Sequence, residues 1–147
     1  MLIQAILKTK PAGDGKGVVT IGPDASVADA AAVLAEHRFG SLVVSEDGET
    51  PVGILSERDI VRELAKVGRG CLDEPVKSYM TTALQTCTAQ SNVEDVLTRM
   101  TQGRFRHMPV LEDGKLIGIV TLGDMVKAQL AKVAMEKDAL QGMIMGH

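Results

Sequence analysis

Two short segments carry the residue types and spacing that do chemistry, and they match one another. Ser56-Glu57-Arg58-Asp59 and Thr121-Leu122-Gly123-Asp124 each place a hydroxyl three residues ahead of a carboxylate. At a helix start this spacing forms a capping box, in which the two side chains satisfy each other's backbone N–H groups. The same place suits an anion, because free N–H groups and the positive end of the helix dipole meet there. The carboxylate adds two acceptor oxygens and no donor. Ser26 to Asp29 and Asn92 to Asp95 have the same spacing, so a cap alone explains the pattern as well as a ligand does. A third segment is Arg104-Phe105-Arg106-His107. Two forked, permanent guanidinium charges match phosphate oxygens, and His107 adds a donor. At a helix end the cluster reads equally as solvated cations complementing the negative dipole end. Arg58 either reaches a phosphate or lies on the surface of a first helical turn, while Gly123 in the same slot allows close backbone approach.

Other chemistries lack their residues. Gly13-x-Gly15-Lys16-Gly17 does not have the spacing of a phosphate-binding P-loop. His37, His107 and His147 have no serine or cysteine partner for nucleophilic catalysis and no metal-ligand spacing, so neither an enzyme nor a metal site is expected. The net charge of −3 and 2% aromatic content argue against nucleic-acid binding, which needs a basic field or stacking platforms. No apolar run is long enough to span a membrane. Cys71 and Cys87 make no disulfide framework, and residues 1–7 do not read as a signal peptide, so a reducing cytoplasm is the expected compartment.

The elements that position these residues emerge when the sequence is slid along itself. At an offset of 66, Thr20 meets Thr86, Asp29 meets Asp95, Arg38-Phe39 meets Arg104-Phe105, and Glu46-Asp47-Gly48 meets Glu112-Asp113-Gly114. One residue is then lost, and Gly53-Ile54 meets Gly118-Ile119, Ser56 meets Thr121 and Asp59 meets Asp124. Gly40 and Ser41 stand where the second copy has Arg106 and His107, so two clefts built from these copies should differ, with the one at Thr121 and Asp124 holding a phosphate better. Each copy is roughly fifty residues, below the size that usually folds alone, so the two should share one body. Each reads as β-α-β-β-α. An extended start over 18–21 or 84–88 precedes a capped helix over 26–37 or 92–103. Two β-runs then flank an Asp-Gly turn, and a second helix begins at Ser56 or Thr121. The expected organisation is a segment and loop over 1–17, repeats over 18–65 and 84–130, a connector over 66–83, and a helical extension over 131–147.

The two runs Gly53-Ile54-Leu55-Ser56-Glu57-Arg58-Asp59 and Gly118-Ile119-Val120-Thr121-Leu122-Gly123-Asp124 resemble the cystathionine β-synthase (CBS) domain repeat. So do Phe39-Gly40-Ser41-Leu42-Val43-Val44, Arg104-Phe105-Arg106-His107-Met108-Pro109-Val110 and the lead-in Val76-Lys77-Ser78-Tyr79-Met80-Thr81. The likeness covers about residues 1–130 and points to a stand-alone tandem pair, or Bateman module. It implies an α/β fold of two repeats packed with pseudo-two-fold symmetry, here with an extended C-terminal helix. It also implies clefts for adenosine ligands, with AMP favoured by the basic cluster and ADP, ATP or NAD(H) in the same class. Cationic S-adenosylmethionine fits that cluster less well. Asp59 and Asp124 would accept from ribose hydroxyls, and Ser56 and Thr121 would bind sugar or phosphate. Arg104, Arg106, His107, Arg58 and Gly123 would surround the phosphate. The adenine would lie in an aliphatic slot drawn from Val18, Val19, Met108, Pro109 and Ile119, its edge read by backbone near Thr20 and Thr86. A homodimer and a regulated partner protein are implied as well. The competing expectation is a structural dimerisation protein whose cleft is vestigial and empty.

Overall fold

A computed structural model describes residues 1–10 and 18–144, so the 11–17 loop and the last three residues of the expected C-terminal extension lie outside the described residues. The chain begins with α1 (Ile3–Thr9). The first repeat follows as β1 (Thr20–Ile21), α2 (Val27–His37), β2 (Ser41–Ser45), β3 (Pro51–Ser56) and α3 (Glu57–Val67). Two 3-10 turns, Gly68–Asp73 and Val76–Ser78, lead to the second repeat. That repeat is β4 (Cys87–Thr88), α4 (Val93–Gly103), β5 (His107–Glu112), β6 (Lys115–Thr121) and α5 (Leu122–Ile144). The β-α-β-β-α order therefore occurs twice.

Local chemistry sets the element ends. Ser26 Oγ accepts from the Asp29 N–H at 3.0 Å and starts α2, while Asn92 Oδ1 accepts from the Glu94 N–H at 2.8 Å and starts α4. Both helices stop on an arginine. Arg38 and Arg104 each have φ 57°, a left-handed conformation that costs a non-glycine residue about 1–2 kcal/mol. The reversal returns the N–H groups of Phe39 and Phe105 to the carbonyls of Leu34 and Met100 and sends the chain straight into a strand. Cations at these helix ends also meet the negative pole of the dipole.

Each repeat makes a three-stranded sheet with its hairpin strand β2 or β5 in the centre. β1 and β4 run parallel to that strand, and β3 and β6 antiparallel. Registers match, with Val43 opposite Ile54 in one sheet and Pro109 opposite Ile119 in the other, and a bulge follows Val44 and Val110. The opening strands are shorter than expected. Only Thr20–Ile21 and Cys87–Thr88 pair, with Val43–Val44 and with Val110–Leu111. Pro109, which has no N–H to give, has no β4 residue in register beside it.

The apolar residues form two cores, and each draws on a segment outside its own β-α-β-β-α unit. The first core contains Leu42, Val44, Leu55 and Val76, with Tyr79 and Met80 of the connector packed on it. The second contains Met108, Val110, Val120 and Met125 together with Ile3 and Ile6 of α1, and Leu7 packs beside them. The backbone joins match. Val27 N–H donates to Glu74 O and Val76 N–H to Ala25 O, as Val93 N–H donates to Met1 O and Ile3 N–H to Ser91 O. Met80 lies against Gly53 and Leu7 against Gly118, where a Cβ would come within 2.5 and 2.7 Å of those side chains. The N-terminal helix, expected only as a flanking segment, is thus a structural part of the second repeat. Ile3 is fully buried, so Ile3→Ala should lower the unfolding free energy by about 2–5 kcal/mol in urea denaturation. A loss below about 1 kcal/mol would remove α1 from the core.

Candidate functional site

The two hydroxyl–carboxylate pairs sit where a strand gives way to a helix, β3 to α3 and β6 to α5, and both form capping boxes. Ser56 Oγ accepts from the Asp59 N–H at 3.1 Å, and Asp59 Oδ2 accepts from the Ser56 N–H at 2.9 Å. Thr121 Oγ1 accepts from the Asp124 N–H at 3.0 Å, and Asp124 Oδ2 accepts from the Thr121 N–H at 2.9 Å. The acids differ in the cation each receives. Arg62 Nη2 donates to Asp59 Oδ1 at 2.6 Å, but the Arg62 side chain is 55% exposed, which makes this a weak pair of about 0–1 kcal/mol. Lys10 Nζ donates to Asp124 Oδ2 at 2.8 Å and to the Ile119 carbonyl at 2.8 Å. Burial disfavours the Asp124 charge, but the hydrogen bonds from Lys10 and Thr121 outweigh it and hold the carboxyl below its ordinary value.

Between the repeats lies a cavity of about 1230 Å³ lined by both. Ser56, Arg58, Asp59 and Arg62 line it from the first repeat, and Arg104, Arg106, His107, Thr121 and Gly123 from the second. The basic cluster, expected beside Thr121 and Asp124, therefore shares this cavity with Thr121 and with Ser56 and Asp59, while Asp124 does not line it. Five permanent cations, Arg58, Arg62, Arg104, Arg106 and Lys127, stand in the lining against Glu57 and Asp59. A chain with net charge −3 thus concentrates positive charge here, which draws anions.

Of the expected aliphatic slot, only Pro109 lines the cavity, where it is joined by Ile54, Leu84, Val126 and Leu130. Met108 is fully buried in the second core, which takes it out of a slot wall. Val19 packs on the first core, Thr20 is paired in β1, and Ile119 meets Lys10 through its carbonyl. Val18 and Thr86 are half-buried and stand outside the cavity lining. The strand starts were expected to supply this wall; Leu84 and Gln85 of the second one do line the cavity, together with Thr81 and Ala83 of the connector. A two-way backbone bridge, Ile54 N–H to Thr81 O at 3.0 Å and Thr81 N–H to Ile54 O at 2.9 Å, holds the connector against β3.

Two residues stand out that the sequence left unmarked. Lys10 is the first. Ser41 is the second: it lines the cavity, is 5% exposed, and its Oγ has no hydrogen-bond partner. A buried hydroxyl is ordinarily satisfied, which sets Ser41 apart among the described residues. His107 lies close by against Gly40, where a Cβ would come within 3.0 Å of its Nε2. The histidine and an arginine at position 40 matching Arg106 would therefore compete for space. Among the described residues no group of three or more His, Cys, Asp or Glu is placed to hold a metal ion. Nor, among the described residues, is any helix long and apolar enough to cross a membrane.

Burial lowers the His107 pKa below 6.5; Glu57 opposes the shift, and Arg106 adds to it. The folded protein therefore binds fewer protons than the unfolded chain as pH falls below 6.5 toward the depressed value. Stability should fall across that window and level off once both states are protonated. Melting temperature measured against pH should show this slope in the wild type and lose its His107 component in His107→Gln.

Comparison with known proteins bears on the same architecture. The sequence profile of the CBS domain matches residues 15–66 and 76–131. A CBS-domain protein from Agrobacterium tumefaciens, ATU1752, superposes with TM-score 0.80 at 39% identity, covering 88% of this chain and 99% of its own. CBSX2, solved in complex with AMP, gives TM-score 0.66 at 34% identity, over 78% of this chain and 88% of its own. The CBS domain pair of MJ0100, solved with 5′-methylthioadenosine and S-adenosylmethionine, gives TM-score 0.76 at 26% identity, over 90% of this chain and 98% of its own. Two profile matches, the duplicated β-α-β-β-α unit and these superpositions place the chain in the CBS domain family, as a tandem pair.

Proposed function

We propose that this chain is a regulatory module that binds an adenine nucleotide in the inter-repeat cavity, AMP foremost, with ADP, ATP and NAD(H) in the same chemical class, and signals its occupancy to a partner protein. One observation carries the reading: a capped helix start bearing Asp59 shares a cavity with Arg104, Arg106 and His107. A nucleotide needs an acceptor for its sugar and cations for its phosphate, and this cavity has both. Asp59 Oδ1 accepts a ribose hydroxyl once Arg62 swings out to solvent. Ser56, the first turn of α3 and Arg58 lie beside the sugar and phosphate, with Thr121 and Gly123 on the other repeat. Ile54, Leu84 and Pro109 give the purine an aliphatic bed in place of an aromatic one. The positive lining favours a phosphorylated ligand over cationic S-adenosylmethionine. The AMP complex of CBSX2 supports the ligand class. Signalling follows if the nucleotide binds two arrangements of the pair unequally.

Exposed apolar residues on α5 favour a second reading, association. Val126 is 45% exposed, Leu130 66%, Val133 58% and Leu140 59%, at helix positions that fall along one stripe. We propose that this stripe pairs two copies of the chain. In the competing role of a structural protein, the pairing is the whole function and the cavity stays empty.

Asp59→Ala should weaken AMP binding about 10- to 100-fold in calorimetry, the equivalent of a charge-assisted hydrogen bond of about 1.5–3 kcal/mol. Arg106→Ala should weaken AMP but leave unphosphorylated adenosine unchanged. A thermal-shift panel that shows no rise with AMP, ADP, ATP or NAD would leave the structural role standing. Leu130→Glu should convert a dimer to a monomer in sedimentation; a wild-type chain that sediments as a monomer would refute the pairing.

A further inference from the structure

Building on the adenine-nucleotide reading of the Asp59 cavity, we propose that Lys10 is an internal lock on the Asp124 half of the pair, so that the chain takes one nucleotide rather than two. The two repeats are built alike up to this residue. Ile3 and Leu7 cover the second sheet as Val76 and Met80 cover the first, a constant 73 residues apart. The same offset pairs Lys10 with Ala83. Ala83 lines the open cavity and is too short to reach Asp59. Lys10 reaches Asp124 Oδ2 at 2.8 Å.

The lock also replaces a piece of backbone. In the first repeat the Ile54 carbonyl is satisfied by the Thr81 N–H at 2.9 Å. The carbonyl of Ile119, the counterpart of Ile54, accepts instead from Lys10 Nζ at 2.8 Å. A single ammonium with three donors therefore satisfies both a strand carbonyl and Asp124 Oδ2, the oxygen that also accepts the Thr121 N–H, and sets its charge against the acid that a sugar hydroxyl would meet. Lys10 directly follows α1, whose Ile3 and Ile6 are buried in the core, so a rigid element delivers it. Lys10 is the more shielded of the two cations, 31% exposed against 55% for Arg62, while Asp124 at 24% is somewhat more open than Asp59 at 12%. Unlocking requires only that one side chain withdraw while α1 stays in place.

Calorimetry with AMP on the full chain decides the matter. The wild type should bind one AMP per chain, with Asp59→Ala weakening that event. Lys10→Ala should bind two, and adding Asp124→Ala should return the count to one. Lys10→Met, which keeps the apolar stem but not the charge, should also bind two and guards against a packing effect of the alanine. The lock is overturned if the wild type already binds two and Lys10→Ala changes neither, or if every Lys10 variant still binds one. In both cases the nucleotide reading survives. The absence of binding in wild type and variants alike overturns both.

Discussion

A three-stranded sheet with two helices cannot close its own apolar surface here, and each repeat relies on a segment from outside its β-α-β-β-α unit to finish the work. Val76 and Met80 of the connector cover the first sheet, and Ile3, Ile6 and Leu7 of α1 cover the second. Burial of each such side chain contributes about 1.5–3 kcal/mol, a large share of the stability of a domain this size. The sheets are shaped for the covering. Gly53 and Gly118 occupy matching positions on the edge strands, and a side chain at either would collide with Met80 or Leu7. Because the covers run on past the sheets, they also form cavity wall: residues 81–85 edge the Asp59 cavity, and Lys10 lands on Asp124.

The capping boxes show how folding and binding share atoms. In both acids Oδ2 accepts the backbone N–H of the cap residue, so the carboxylate holds its helix start whether or not a ligand is present. What most separates the two acids is the cation each meets, an exposed arginine from the same helix or a half-buried lysine that follows α1. A duplicated sequence thus produces two chemically unequal positions while keeping the hydroxyl–carboxylate pair in both.

Much of this was legible in the residues. The 66-residue offset, the Asp-Gly turns and the Ser/Asn caps foretold the element order, because each rests on interactions within a few positions. Interactions between distant residues were not legible. α1 has no side-chain cap and only seven residues, and its partners lie more than eighty positions away; the one signal was the Ile3/Leu7 spacing that repeats Val76/Met80. Lys10 reads as one more lysine before a glycine-rich stretch, and Ser41 as an ordinary strand serine until its hydroxyl proves to lack a partner. The helix stops at His37 and Gly103 fell where expected, but the left-handed turn that makes them was hidden, since Arg38 and Arg104 take a conformation that glycine usually announces. The aliphatic lining was only partly legible: Pro109 lines the cavity as expected, while Ile54, Leu84, Val126 and Leu130 join it from segments distant in sequence.

The placement of α1 on the second repeat also governs the order of assembly. Ile3, Ile6 and Leu7 are made long before Met108, Val120 and Met125, which they join. Throughout synthesis of the first repeat this apolar turn has no docking surface, while that repeat gains its own cover as soon as the connector that follows it is made. Contacts spanning so much of the chain are slow to form and leave greasy surface bare in the meantime. The nascent protein should therefore mature in two strokes, an early half that closes with the connector and a late half that waits for α1 to return.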